Sequence, residues 1–222
     1  VVEPLYYSLK DELISKNVFE PIAIYEYYPC ISYDNKLYIF DKKYLYNNLE
    51  EAKKVPPLSE AIKVLEFPRQ KRKPFRCIAD FFANDRLDVV GFTLASAGLK
   101  ISDYEREFYD RGEFTKYYQV HGLGVELAEA LAEVLHKQIR LDWDIVPKEG
   151  HKLSDVQMKQ YVGCRYSPGY AACPELSQNR DIFDLLNPEK YGIELSETFQ
   201  MHPEQTTCAI VVHNKEANYY NV

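Results

Sequence analysis

Apolar residues recur at Leu5, Leu9, Leu13 and Ile14, the spacing of one helix face, and predict an N-terminal helical segment over residues 1–17. The period then changes. Residues 22–33 are rich in β-branched and aromatic side chains, and Asp34-Asn35 separates them from Leu37-Tyr38-Ile39-Phe40. This is the pattern of a β-hairpin with a tight turn. Residues 41–60 are polar and end in Pro56-Pro57, a loop with room for one short helix. Residues 61–67 and 87–95 read as further strands, the second closed by Gly98.

Two helices are expected next. Ser102 is placed to cap the first, with Glu105 completing a capping box. The second is the longest periodic stretch, 114–141. Leu127, Leu131, Val134 and Leu135 form its apolar stripe, and Glu126, Glu129, Glu133, Lys137 and Arg140 a polar one. Gly122 and Gly124 weaken its start, so two helices in line are expected. Ser154 begins a short helix, 165–174 is a loop turning at Pro168-Gly169, and 179–186 is helical. Residues 195–201 and 207–213 read as late strands, with a turn at Asn214-Lys215. Strands come in runs beside runs of helices rather than in alternation, which favours α+β over a doubly wound sheet.

Composition narrows the functions. The 222 residues are 46% hydrophobic and carry a net charge of -7, ordinary for a globular protein and unfavourable for wrapping nucleic acid. No apolar run approaches the roughly 20 residues of a membrane span, and no signal peptide is visible. The chain opens without Met, which suggests a trimmed chain or a fragment. The basic run at 69–73 reads as a solvated loop. Five scattered cysteines argue against a disulfide framework and a Cys-x-x-Cys zinc site, which points to a reducing, cytoplasmic setting. The five histidines show no metal-ligand spacing. Gly122-Leu123-Gly124 follows a helical stretch rather than a strand, which disfavours a phosphate loop and a Rossmann methyltransferase.

The segment Arg165-Tyr166-Ser167-Pro168-Gly169-Tyr170-Ala171-Ala172-Cys173-Pro174-Glu175 is different. Arginine presents a planar fork that suits a carboxylate, glycine permits close backbone approach, and tyrosine offers a stacking face with a polar tip. Taken alone, the segment fits either a turn with an ion-paired Arg or a small-ligand loop. Asp80 lies among apolar neighbours in Cys77-Ile78-Ala79-Asp80-Phe81-Phe82, either as an exposed acid or with a partner. Tyr219-Tyr220 close the chain and read alone as surface tyrosines.

These segments, together with Val120-His121-Gly122-Leu123-Gly124-Val125-Glu126-Leu127-Ala128-Glu129, resemble in order and spacing the C-terminal activation domain of cobalamin-dependent methionine synthase. The resemblance covers about residues 18–222, taken as one AdoMet-binding domain. The Arg-x-x-Pro-Gly-Tyr-x-Ala-Cys-Pro-Glu pattern is its most specific part. The resemblance implies a single curved α+β domain with a twisted antiparallel sheet and S-adenosylmethionine (AdoMet) in a concave groove. It implies that Asp80 holds the ligand's amino group, that Arg165 holds its carboxylate or neighbouring polar atoms, and that Glu129 faces the groove. Tyr166 and Gly169 would contact the ligand through backbone, Tyr170 would sit near the corrinoid, and Tyr219 and Tyr220 would line the adenosine end. Arg165 and Asp80 are expected at opposite ends of one cleft.

The implied activity is reductive reactivation of the enzyme. Cobalamin carried by a partner domain, in cis or in trans, drifts to inactive cob(II)alamin. A flavodoxin-like donor supplies an electron, and the domain presents the AdoMet methyl to the resulting cob(I)alamin. Zinc-binding cysteines, a folate barrel and the cobalt-ligating Asp-x-His-x-x-Gly signature are missing, so the chain is expected not to make methionine alone. Lys159 stands where the family commonly has an acid, and His202 and Glu204 replace an aromatic and a small residue. The family's C-terminal helical extension is missing, so weak anchoring of Tyr219-Tyr220 is expected. Two alternatives stand beside this reading: a corrinoid-docking module that does not use AdoMet, and an AdoMet sensor without methyl transfer.

Overall fold

The computed structural model describes residues 2–146 and 161–222. The helix expected from Ser154, Lys159 and His151 lie outside the described residues. The Asp34-Asn35 turn folds β1 (Ile22–Tyr33) back onto β2 (Lys36–Ile39). Asp34 adopts φ 51°, a left-handed conformation that a short polar side chain tolerates. β2 pairs on its far side with β3 (Lys63–Glu66), and the first part of β1 pairs with β4 (Asp88–Ser96). β4 then pairs with β8 (Thr206–Val212), and β8 with the short β5 (Cys164–Tyr166). The result is a six-stranded antiparallel sheet in the order β3-β2-β1-β4-β8-β5.

Helices cover both faces of the sheet. Neighbouring residues on a strand point to opposite faces, so Leu94 and Ala95 of β4 enter different cores. Leu94 joins Phe92, Cys208, Ile210 and Val212 beneath Ile182, Phe183 and Leu186 of α5 (Gln178–Leu186). Ala95 packs on Ala132 and Leu135 of α4 (Phe114–Asp142). Covered on both sides, β8 is apolar without a break from Cys208 to Val212. Each such Leu or Ile contributes about 1.5–3 kcal/mol on burial.

The long helix departs from expectation in two ways. It runs unbroken through both glycines. A side chain at Gly122 would meet nothing, but a Cβ at Gly124 would lie 2.8 Å from Gln205 and 2.9 Å from Ile101, so Gly124 permits close packing. The buried face is also rotated from the expected stripe. Val120, Leu123, Ala128, Ala132, Leu135 and Ile139 form it, while Val134 is 63% exposed and Arg140 is buried. Small Ala128 and Ala132 lie at the centre of the contact because helix and sheet approach closely there; the larger Leu127 and Leu131 flank it.

The preceding helix, α3 (Leu99–Asp110), starts three residues before the expected cap. Its cap is Gly98, at φ 91°, where any Cβ would strike the Glu20 carbonyl. Ser102 instead donates to Gln205 Oε1 at 2.8 Å, and buried Glu105 accepts from Gln205 Nε2 at 2.7 Å. α1 (Val2–Ser15) shares a core with α3 and α4 through Leu9, Leu13, Ile101 and Leu123, and Glu12 is bonded to Tyr104 and Lys116. The expected 41–60 loop holds one short helix, α2 (Leu49–Ala52), capped by Asn48. The expected strand 195–201 is instead a small hairpin of β6 (Glu194–Leu195) and β7 (Met201–His202). Among the described residues no helix is long and apolar enough to cross a membrane, and no His/Cys/Asp/Glu cluster could hold a metal ion. Among the described residues no disulfide links any of the five cysteines.

Candidate functional site

A cavity of about 510 Å³ opens between α4, β5 and the C-terminal tail. Glu129 and Glu133 enter it one helical turn apart on α4. From the facing side come Tyr161, Arg165, Ser167 and Tyr170, and the tail adds Asn218 and Tyr219. The volume is in the range of small-molecule sites.

β5 explains the roles of Arg165 and Tyr166. Both pair with β8, opposite Val211 and Ile210, and as strand neighbours they point to opposite faces. Arg165 reaches α4, where its Nη2 donates to Glu133 Oε1 at 2.5 Å. Among the described residues no other part of this guanidinium is hydrogen-bonded. Tyr166 is fully buried on the other side. The chain then turns, with Gly169 at φ 88° and its N–H donated to the Cys173 carbonyl at 2.8 Å. The turn leaves Tyr170, 60% exposed, at the mouth of the cavity.

Tyr166 also anchors the tail. Its hydroxyl donates to the Asn218 carbonyl at 2.7 Å, and its ring stacks on Phe81 at 6.1 Å and on Tyr219 at 6.1 Å. Tyr220 packs against both Phe81 and Tyr166, and Gln70 Nε2 donates to the Asn221 carbonyl at 2.8 Å. The tail is therefore anchored, contrary to expectation, because aromatic packing and two backbone carbonyls fix it. Burial pushes the Tyr166 and Tyr220 phenols well above their ordinary values, so both rings are neutral packing surfaces.

Asp80 lies elsewhere. It sits in the 3-10 turn Ile78–Phe81, and both carboxylate oxygens are taken by Arg69, at 2.6 and 2.7 Å. One oxygen also accepts the Cys77 N–H at 3.0 Å. This fork raises the Arg69 pKa, chiefly through its hydrogen bonds to Asp80. Of the residues expected to touch a ligand, Glu129, Arg165, Tyr170 and Tyr219 share the cavity; Asp80, Tyr166, Gly169 and Tyr220 are not among its walls. Asp80 neighbours Phe81 in the chain, and Tyr220 of the tail packs against Phe81. The Asp80 side chain is 41% exposed and remains open to solvent.

Behind the cavity wall is a second charge. Arg140 is 1% exposed, and none of its three guanidinium nitrogens has a hydrogen-bond partner. Its guanidinium lies 4.1 Å from the centre of the Tyr161 ring, a cation–π contact. His136, also fully buried, meets the same ring edge-on at 5.2 Å. Burial first, then the charges of Arg140 and Arg165, push its pKa down to about 2. It is a neutral imidazole at any ordinary pH.

Three residues escaped the sequence reading as site elements: Glu133, Tyr161 and Arg69. Glu133 had a signal, being four residues from Glu129 on one stripe. Arg69 was grouped with a solvated basic run, and only the fold sets it against Asp80.

The profile of the family described as vitamin B12 dependent methionine synthase, activation domain, matches residues 7–222. Methionine synthase of Mycobacterium tuberculosis (strain ATCC 25618 / H37Rv) is 36% identical over 213 residues, which is 90% of this chain and 17% of the relative. Methionine synthase of Mycobacterium leprae (strain TN) matches at the same 36% identity and coverage. Among solved structures, the MetH reactivation domain bound to AdoHcy superposes with a TM-score of 0.86 at 24% identity. That match covers 99% of this chain and 66% of the other, and it shows that the fold is shared. The chain thus spans about one sixth of the methionine synthases it matches.

Proposed function

The chain belongs to the family of vitamin B12 dependent methionine synthase activation domains, and from that premise we propose that it binds AdoMet in the Arg165 cavity and presents the methyl group for remethylation of cob(II)alamin on a cobalamin-dependent methionine synthase. The observation that carries this is the half-satisfied Arg165: a guanidinium at a cavity wall with N–H groups unspent, beside a second carboxylate and aromatic rings.

AdoMet carries an amino-acid zwitterion, a sulfonium and an adenosine. The residues present fit each part. Arg165 takes the carboxylate with the N–H groups that Glu133 leaves over. Glu129, exposed on the cavity side of α4, faces the cationic region. Tyr219 offers a ring to the adenosine. Gly169 and Tyr166 contribute backbone; Tyr170, at the mouth, meets the corrinoid. Tyr220 holds the tail in register. Asp80 is not among the cavity walls and stays paired with Arg69, so its charge acts on the amino group only at longer range.

When bound, AdoMet supplies an electrophilic methyl group and the partner's cobalamin a nucleophile. This chain's part is orientation, a rigid wall that points the methyl outward and keeps the amino acid fixed. The partner is the cobalamin-binding domain, in cis or trans, with a flavodoxin-like electron donor. The chain alone makes no methionine.

Titration calorimetry with AdoMet tests the reading. A single saturable site is expected, together with methylcobalamin formation when a cob(II)alamin-loaded partner and a reductant are added. Docking to the partner with no AdoMet heat would transfer the assignment to a docking module. AdoMet binding without methylcobalamin would leave a sensor.

A further inference from the structure

Glu133 is half-used. Its Oε1 accepts from Arg165, while its Oε2 is buried with no hydrogen-bond partner. A buried carboxylate oxygen left unpaired costs free energy, and such a group is kept for a reason. Two guanidiniums account for it. Arg165 stands on the cavity side, and Arg140 lies two turns along α4, sealed from solvent and without a hydrogen-bond partner. Glu133 is a charge neighbour of Arg140, and His136 between them on the helix carries no charge. Without the Glu133 charge, two cations would face each other across a dry wall and repel.

We propose that Glu133 is a positioning residue: it holds the Arg165 guanidinium in the pose that receives the amino-acid carboxylate of the ligand, against the repulsion of the buried Arg140. Arginine has much rotamer entropy to lose, and fixing it before the ligand arrives moves that cost out of binding. Glu133 itself touches no ligand atom. It acts through Arg165, so its effect is confined to ligands that carry the carboxylate. This inference rests on the proposed AdoMet site and deepens it.

The test compares AdoMet with decarboxylated AdoMet, which keeps the adenosine, the sulfonium and the amine but lacks the carboxylate. Calorimetry is run on wild type, E133Q, E133D and R165A, each checked for an unchanged melting profile. E133Q is expected to weaken AdoMet about tenfold or more and to leave decarboxylated AdoMet within about twofold, with E133D restoring most of the loss. In the R165A background, E133Q should add nothing further. Equal losses for both ligands would mean a merely structural role and overturn the proposal. So would tighter AdoMet binding by E133Q, since Glu133 would then be a competitor for Arg165. If wild type binds neither ligand, the AdoMet reading falls and this inference with it; if wild type binds AdoMet and E133Q matches it, this inference alone falls.

Discussion

Two guanidinium–carboxylate pairs lie near the C-terminal tail, and they differ in how fully they are used. In Arg69–Asp80 both carboxylate oxygens meet the fork, and Arg69 also donates to the Phe75 carbonyl and to Asn35. The two side chains are 36% and 41% exposed. In Arg165–Glu133 a single bond joins groups that are 16% and 34% exposed, with an oxygen and several N–H groups left over. The first pair ties a loop to a turn and is complete without a ligand. The second is short of partners at the wall of a cavity, where a ligand gains most by supplying them. The sequence does not separate the two, since the resemblance implies a ligand role for Asp80 and Arg165 alike. Their surroundings do.

The comparison breaks most visibly at Arg165. Arg165→Ala should weaken AdoMet binding about 100-fold, near 3 kcal/mol, by calorimetry, because it removes a charge-assisted contact from a partly dry wall. An unaltered affinity would place the ligand elsewhere.

The next effect is acid sensitivity, which should belong to the Arg165 side. In the unfolded chain His136 protonates near its ordinary value of 6.5, while in the fold it stays neutral until about 2. Between these values the unfolded chain binds a proton that the folded chain refuses. Stability from this group is therefore whole above pH 6.5 and is lost as pH falls, by roughly 1 kcal/mol per unit. His136→Leu should flatten the fall in melting temperature between pH 6.5 and 5. Parallel curves for wild type and variant would remove His136 as the cause.

Asp80→Asn comes third. The Asn retains an acceptor for the Cys77 N–H but loses the charge offered to the ligand's amino group, so affinity should fall about tenfold. Wild-type affinity would leave Asp80 a purely structural partner of Arg69. The smallest effect concerns stability alone. A double-mutant cycle of Arg69→Met and Asp80→Asn should give a coupling of about 1 kcal/mol or less, fading in molar salt, as expected for an exposed pair. A coupling of several kcal/mol that ignored salt would mean that this pair, too, is electrostatically shielded.

Much of this was readable from the chain, and the exceptions have causes. The β-branched and aromatic run in 22–33 with its Asp34-Asn35 turn predicted the hairpin, and Pro168-Gly169 predicted the turn within the Arg165–Glu175 segment. The stripe on α4 was misplaced because the closest part of its contact uses alanines, which carry little apolar signal, while Val134 is exposed. Ser102 read as a cap because Gly98 leaves no side-chain signature. The pairs Arg69–Asp80 and Glu133–Arg165 join residues 11 and 32 apart, and only the fold decides which of many charges meet. Arg140 read as solvated because sequence alone cannot bury a charge.

A crystal structure of the chain with AdoMet addresses the central claim most directly. The ligand carboxylate is expected on Arg165, with Glu133 still holding that guanidinium and the adenosine beside Tyr219. Ligand density against Arg69, or a carboxylate with no contact to Arg165, would contradict it.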